Sequence, residues 1–226
     1  MRSPAFLASV LVLSVLLALF AACNGDGGPA IDIRDFDTAR FTMIQTSTTT
    51  GQDESQISGE GVIDNRKQAL SVNYKSGSEG QVIAVGRTIY TYHQTDGSWT
   101  SVDEPVDGQV GFGRPYWPRF WLDAVQTEEL GQQTLLGAET TGYRLTFDLE
   151  KVGRRLQAPG SAEPQDVRQA EVEVWVDNRS HYAVKLTFRL ELGFGTQSTK
   201  LEVASTFSDF GADVEIEAPE VASPTP

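Results

Sequence analysis

The feature that most limits the fold of this chain is an alternation of apolar and polar residues in its second half. From Ala170 to Val176, and again from Tyr182 to Leu190, every second residue is apolar. Successive side chains of a strand point to opposite faces, so each segment has one apolar face and one polar face. The stretch Asp177–Ser180 between them is rich in turn-forming residues, which predicts antiparallel pairing. Strands of this kind are typical of an antiparallel sheet with one face in water.

The same pattern extends to neighbouring segments and defines one apolar face. Leu201, Val203 and Phe207 continue it after the second strand, and Asp64–Asn65 joins two earlier strands as a hairpin. The segment from Gln81 to Val102 predicts two further strands. The residues that we expect on the apolar face of the later strands, and that are candidates for lining a ligand cavity, are Tyr143, Leu145, Phe147, Val172, Val174, Val176, Val184, Leu186 and Phe188.

One longer segment has helical spacing. Trp117, Phe120 and Trp121 fall on one side of a helix, together with Ala124 or Val125. We expect this helix, residues 116–125, to cover the mouth of the sheet. Its aromatic side chains either fill the open side of the sheet or form a gate over an apolar cavity. A shorter helix is predicted at residues 149–156. The fold class is therefore mainly β (α+β), a large curved antiparallel sheet with one or two covering helices.

The N-terminal residues have the layout of a secretory signal. Arg2 is the only charged residue before Cys23, an apolar stretch follows it, and two alanines precede the cysteine. The sequence F-A-A-C resembles the bacterial lipobox, whose cysteine receives a diacylglycerol and becomes the first residue after cleavage. The alternatives are an uncleaved membrane anchor and an ordinary buried thiol. We expect a signal peptide at residues 1–22, the lipidated Cys23 with a flexible tether at 23–38, a domain at 39–218 and a disordered tail at 219–226.

The charge of the chain limits its partners. The formal net charge is −13, and such a surface repels nucleic acid and anionic head groups. We therefore expect no nucleic-acid partner, and a membrane contact made through a lipid on Cys23. Because Cys23 is the only cysteine, an internal disulfide is excluded.

The sequence shows no catalytic pattern. His93 and His181 have no cysteine or second histidine near them in the sequence, as a zinc site would need. Asp32, Asp35 and Asp37 do not have the spacing of a calcium-binding loop. Nucleophile elbows and phosphate-binding loops are absent from the sequence. We expect no metal, no cofactor and no enzymatic activity.

The order of these parts resembles a known family. The segments G-A-E-T-T-G-Y-R-L-T-F-D-L and F-S-D-F-G-A-D-V-E-I-E-A-P, following a lipobox cysteine, are similar to the LprG/LppX lipoproteins of actinobacterial cell envelopes, which are related in shape to the LolA/LolB carriers. The resemblance implies a half-barrel with an apolar cavity between sheet and helices. Some members bind acylated lipids there and are thought to move them across the envelope. Family members begin with an amphipathic helix, whereas A-I-D-I-R-D-F-D-T-A-R-F is a poor helix former, so we expect a shallower or more open cavity.

The resemblance implies a lipid-anchored extracytoplasmic protein that binds a hydrophobic ligand, an acyl lipid, in its half-barrel and serves as an envelope carrier. The alternative is an interaction or sensor module at the membrane surface, with a filled core and no ligand. A hydrolase is the third alternative.

Overall fold

The computed structural model describes residues 31–75, 80–86, 88–103, 124–156 and 166–221. Most of the described residues lie in β-strands, and these residues contain a single short helix. The elements, in chain order, are β1 (Thr38–Thr49), β2 (Ser55–Asp64), β3 (Ala69–Lys75), β4 (Gly80–Val85), β5 (Thr88–His93), β6 (Ser98–Asp103), β7 (Ala124–Leu135), β8 (Ala138–Phe147), α1 (Leu149–Arg155), β9 (Asp166–Asp177), β10 (Ala183–Phe194) and β11 (Gln197–Ser208).

The eleven strands of the described residues lie in one open sheet. Their order is β6-β5-β4-β3-β2-β1-β11-β10-β9-β8-β7, and every neighbouring pair is antiparallel. The first and last strands are adjacent at its centre, so β1 to β6 and β7 to β11 form two meanders that meet at one seam. The prediction of a large antiparallel sheet in a mainly β fold is confirmed, and the open, curved sheet is a half-barrel.

The turn between β9 and β10 forms where the sequence places it. Asp177 Oδ1 accepts a hydrogen bond from the backbone N–H of Arg179 at 2.7 Å, and Oδ2 accepts one from the Ser180 hydroxyl at 2.9 Å. The bond from Arg179 is the main cause of a lowered pKa of the Asp177 carboxyl. An Asp side chain that binds its own turn in this way favours the reversal over extended chain.

The end of the predicted aromatic helix is a strand instead. Ala124 and Val125 open β7, which runs for 12 residues and pairs with β8 from Ala124↔Phe147 to Leu135↔Ala138. The apolar spacing of these residues favours a helix, but the backbone hydrogen bonds to β8 stabilise the strand more. The hairpin closes at Leu136 and Gly137, both with positive φ, as a tight two-residue turn requires. The rest of the predicted helix lies outside the described residues.

The short helix α1 confirms the prediction made for residues 149–156. Asp148 caps its N-terminus, because its side chain accepts hydrogen bonds from the backbone N–H groups of Glu150 and Lys151. Val152 is buried in the main hydrophobic cluster. The helix therefore packs against the apolar face of the sheet, where it contacts β9.

Residues 31–37, assigned to the tether by the sequence, are packed against the sheet. They form no helix, as the poor helical pattern indicates. Phe36 is buried, with its ring centroid 5.3 Å from that of Phe210. The backbone N–H of Arg34 donates to His181 O at 2.9 Å, and the Asn65 side chain donates to Phe36 O at 2.7 Å. The packed part of the chain thus includes residues before position 39.

The segment after β11 covers part of the outer side of the sheet, the side that faces away from the main hydrophobic cluster. Thr38 Oγ1 donates to Ala212 O at 2.6 Å and holds this segment at the start of β1. Further on, Ile216 is buried with Ala69 and Ile83 in a second, smaller cluster. Ala69 alternates along β3 with Leu70 and Val72 of the main cluster, and Ile83 lies opposite Ser71, which shares a face with Ala69, so this cluster lies on the outer side of the sheet.

Charged residues cross-link the outer side of β7 to β11. Arg144 on β8 binds Glu128 at 3.1 Å and Glu173 at 2.9 Å. Arg189 on β10 binds Glu173 at 3.1 Å and Glu202 at 2.8 Å. Partial burial alone would raise the pKa of the Glu173 carboxyl, but hydrogen bonds from the two arginines outweigh it and lower the pKa. Glu173, on the polar face of β9, is thus part of an ion-pair network.

We expect Glu173→Gln to lower the free energy of unfolding by about 1 kcal/mol at pH 7. The folded-state pKa lies below the ordinary value of 4.5. The stabilisation is therefore complete above pH 4.5 and is lost as the pH falls through the folded-state pKa. Urea unfolding of both proteins between pH 7 and 3 measures this. Glu128→Gln, at a more exposed pair, is the control with a smaller effect. A difference that stays constant down to pH 3 would contradict the ion-pair explanation.

Candidate functional site

The inner face of the sheet is the side that carries Val172, Leu186, Phe188, Val203 and Phe207. These residues are buried in one cluster with side chains from β1 to β3 and from α1. Residues that lie directly opposite one another on neighbouring strands form rows across this face. One row contains Tyr74, Gly59, Met43, Ser205, Leu186, Val174 and Tyr143. The next contains Ile57, Gln45, Val203, Phe188, Val172, Leu145 and Thr127.

Most of the described cavity candidates lie together on this face. Those buried in the main cluster are Leu145, Val172, Val174, Val176, Leu186 and Phe188. Tyr143 and Phe147 are half-buried and pack against it. Trp117, Phe120 and Trp121 lie outside the described residues. Whether any of these residues contacts a ligand stays a prediction.

Val184 differs from the other candidates. It is buried, but it lies at an irregularity between β9 and β10, where the register shifts between Ala183 and Lys185. Ala183 is the residue opposite Val176, and Ala183 belongs to the main cluster. A bulge inserts one unpaired residue, so the strict alternation expected from Tyr182 to Leu190 is broken at its start.

Aromatic rings fill the inner face at the end where β1 begins. Phe36 lies between Phe207 and Tyr182, with ring centroids 6.0 and 6.2 Å away. Phe41 contacts Phe207 from the other side at 6.1 Å, and Tyr182 lies 4.9 Å from Phe210. A cluster of tilted and edge-on rings stabilises this end by burial and by ring–ring attraction.

The opposite end of the inner face is more open. Phe194, at the β10–β11 turn, is 50% exposed, and Leu149 at the start of α1 is 37% exposed. Thr49 and Thr199 pair across β1 and β11 here, with their hydroxyls 3.0 Å apart. Apolar side chains therefore reach solvent at this end, away from the aromatic cluster.

Glycines on β2 allow β1 side chains to lie across the inner face. A Cβ at Gly61 would come within 2.8 Å of Phe41 Cζ, and one at Gly59 would lie 3.4 Å from Met43 Cγ. The Phe41 ring therefore occupies the space above Gly61. On the outer face, the Trp175 ring occupies the space above Gly142, where a Cβ would lie 2.6 Å from Trp175 Cζ3.

A few polar groups are buried on the inner face. Tyr74 Oη and Thr127 Oγ1 are shut off from solvent and have no hydrogen-bond partner, and Gln45 is buried among apolar neighbours. Tyr74 shares a face of β3 with Leu70 and Val72, and this apolar pattern does not mark it as a site residue. Gln45 is a polar residue in a threonine-rich stretch, and no local signal identifies it as buried.

The described residues contain no group of three or more His, Cys, Asp or Glu side chains arranged to hold a metal ion. His181 lies in a turn and binds Asp32 through Nδ1 at 2.9 Å, and His93 Nε2 lies 2.8 Å from Thr100 Oγ1. In the same part of the chain, no helix has the length and hydropathy needed to cross a membrane.

Replacing Phe188 with alanine should lower the free energy of unfolding by about 3–5 kcal/mol, the range for a large side chain removed from a filled core. Its side chain is 2% exposed. Ile44→Ala, on the outer side of β1, is the control, and because Ile44 is 49% exposed we expect a change of at most about 0.5 kcal/mol. Chemical denaturation measures both. A loss at Phe188 as small as that at Ile44 would show that the inner face is not tightly packed there.

Comparisons with known proteins address the fold. No protein-family model matches the sequence, and no curated protein matches it. Among solved structures, the lipoprotein LppX of Mycobacterium tuberculosis is similar over 92% of this chain and 99% of its own, with 16% identity and a TM-score of 0.50. LprF of Mycobacterium bovis covers 91% of this chain and 96% of its own, with 12% identity and a TM-score of 0.44. The sequence resemblance to LprG/LppX proteins is thus confirmed at the level of the fold, and this chain has an LppX-type half-barrel.

Proposed function

We propose that this chain is an extracytoplasmic lipoprotein that binds acyl lipid on the inner face of its half-barrel and carries it within the cell envelope. The observation that carries the proposal is the continuous apolar inner face, which spans the seam between the two meanders. Its apolar side chains are partly exposed at the end where Phe194 and Leu149 lie. LppX, which has the same fold, is a lipoprotein.

Acyl chains suit such a face because their burial is favourable without any directional contact. Each methylene that leaves water contributes about 0.8 kcal/mol. A chain that enters beside Phe194 would meet Leu192, which packs against the main cluster. The aromatic cluster around Phe36 and Phe207 closes the far end and would limit how deep the chain reaches. The open end is therefore the expected place of entry.

The lipid anchor on Cys23 would keep the protein at the membrane surface. A net charge of −13 opposes adsorption to anionic lipids, so a covalent lipid supplies the attachment that electrostatics does not. One acyl chain gives only weak binding, and the diacylglycerol of a lipoprotein supplies two.

Cys23→Ser should abolish attachment of lipid and leave the signal peptide uncleaved. Bacteria that express either protein are fed an alkyne fatty acid, and the labelled protein is detected by gel fluorescence and intact mass. The wild type should carry the label and begin at Cys23. Equal labelling of Cys23→Ser would exclude this residue as the acylation site.

Lipid binding is tested on protein that lacks residues 1–23 and has been stripped of lipid. Trp117 and Trp121 are predicted to face the sheet, so their fluorescence should shift when dioleoylglycerol is added. The variants Trp117→Phe and Trp121→Phe separate their signal from that of Trp99 and Trp175, and each should reduce the shift. If the wild type binds no lipid by mass spectrometry and its fluorescence does not respond, the carrier proposal fails, and the interaction module with a filled core takes its place.

A further inference from the structure

Tyr74 carries a buried hydroxyl that stability alone does not explain. The residue lies on the inner face of β3, opposite Gly59 of β2, and its ring packs against the main cluster. Its Oη is shut off from solvent and has no hydrogen-bond partner. An unpaired buried hydroxyl costs about 1–3 kcal/mol. Phenylalanine would fill the same space without this cost, so the hydroxyl points to a role in binding.

The chemistry of this hydroxyl is that of a neutral donor. Burial raises the pKa of the Tyr74 phenol well above its ordinary value. The group therefore stays protonated at every pH at which the protein is expected to work. Within an apolar surrounding, its free O–H is best satisfied by an oxygen atom that accepts a hydrogen bond.

The charges of the inner face favour an uncharged acceptor. In the described strands, none of the inner-facing positions is Lys or Arg, and Lys75 and Arg144 extend from the outer side, where they bind glutamates. Glu129 lies opposite Tyr143 near the sheet edge and adds a negative charge. A carboxylate or phosphate buried on this face would have no positive partner, which is costly. An ester carbonyl or a lipid hydroxyl has no such cost.

Gln45 places an amide on the same face as this hydroxyl, in the next row of residues. It lies on β1, two strands from Tyr74, with only β2 between them. Strands are about 4.8 Å apart and residues rise about 3.4 Å along a strand, so the Cα atoms of Tyr74 and Gln45 are roughly 12 Å apart, a span that two long side chains and one ligand group fill. On the strand between them, Gly59 lies opposite Tyr74 and carries no side chain, and Ile57 lies opposite Gln45. The amide of Gln45 is buried and can also donate to an oxygen.

We propose that Tyr74 and Gln45 form the polar contact of the lipid site and donate hydrogen bonds to an uncharged oxygen of the ligand. The site then selects esterified neutral lipids over fatty-acid anions and over hydrocarbons. This inference rests on the proposed function, because it names the ligand class of the same inner face.

The test uses the full-length protein, released from detergent micelles and titrated with one lipid at a time in native mass spectrometry. The probes are dioleoylglycerol, which has ester carbonyls, oleate, which is an anion, and squalane, a hydrocarbon without acceptors. Tyr74→Phe removes the hydroxyl and keeps the ring. We expect it to weaken binding of dioleoylglycerol about five- to tenfold, the size of one hydrogen bond, and to leave squalane binding unchanged. Gln45→Met, of similar length, should act in the same direction.

Tyr92→Phe, the same change on the outer face, is the matched control and should leave all three affinities unchanged. Thermal unfolding should show that Tyr74→Phe is as stable as the wild type or more stable. This inference is overturned, while lipid binding stands, if Tyr74→Phe and Gln45→Met bind dioleoylglycerol as tightly as the wild type does. It is also overturned if their affinity for squalane falls as much as their affinity for dioleoylglycerol. Wild-type protein that binds oleate more tightly than dioleoylglycerol also overturns it. Wild-type protein that binds none of the probes overturns the proposed function itself.

Discussion

The pairing of β1 with β11 is the interaction on which the rest of the sheet depends. It runs in register from Arg40↔Ser208 to Thr49↔Thr199 and joins two meanders that are otherwise built from local hairpins. Without it, each meander would expose an edge strand and half of an apolar face. The residues that pair are almost the full length of the domain apart in the sequence. The entropy of closing so long a loop has to be offset by the burial that the seam provides, and such non-local pairing is typical of slow folding.

The two sides of the sheet are stabilised by different interactions. On the inner side, Met43 and Gln45 of β1 lie opposite Ser205 and Val203 of β11, so the seam is part of the main cluster. On the outer side, Glu173 lies between two arginines from neighbouring strands. The period of two in each strand separates most of these groups. As a result, the described strands carry no Lys or Arg on the inner face, where Glu129 adds a negative charge near the sheet edge, so an anion buried there would have no positive partner on these strands.

This separation also bears on how the proposed lipid site would obtain specificity. Burial of hydrocarbon is not directional and scales with area, so it distinguishes ligands by size more than by type. Buried polar groups discriminate far more strongly, because each is left unpaired when the wrong ligand is bound. The inner face has few such groups among its described residues, and those at Tyr74, Gln45 and Thr127 interrupt an otherwise apolar surface. A small number of hydroxyl and amide groups would therefore determine which lipid the face prefers.

The sequence by itself determined the features that depend on neighbours along the chain. The alternation in β8 to β11, the Asp177 turn and the short helix after Asp148 are all local patterns, and apart from the bulge at the start of β10 they form as expected. Only the tertiary structure decided the rest. Ala124 and Val125 join a strand because β8 offers them backbone partners, and Phe36 packs because Phe207 and Phe210 lie beside it. The Tyr74 hydroxyl is buried without a hydrogen-bond partner. Pairing and burial of this kind depend on groups far apart in the sequence, and no local pattern records which of them will meet.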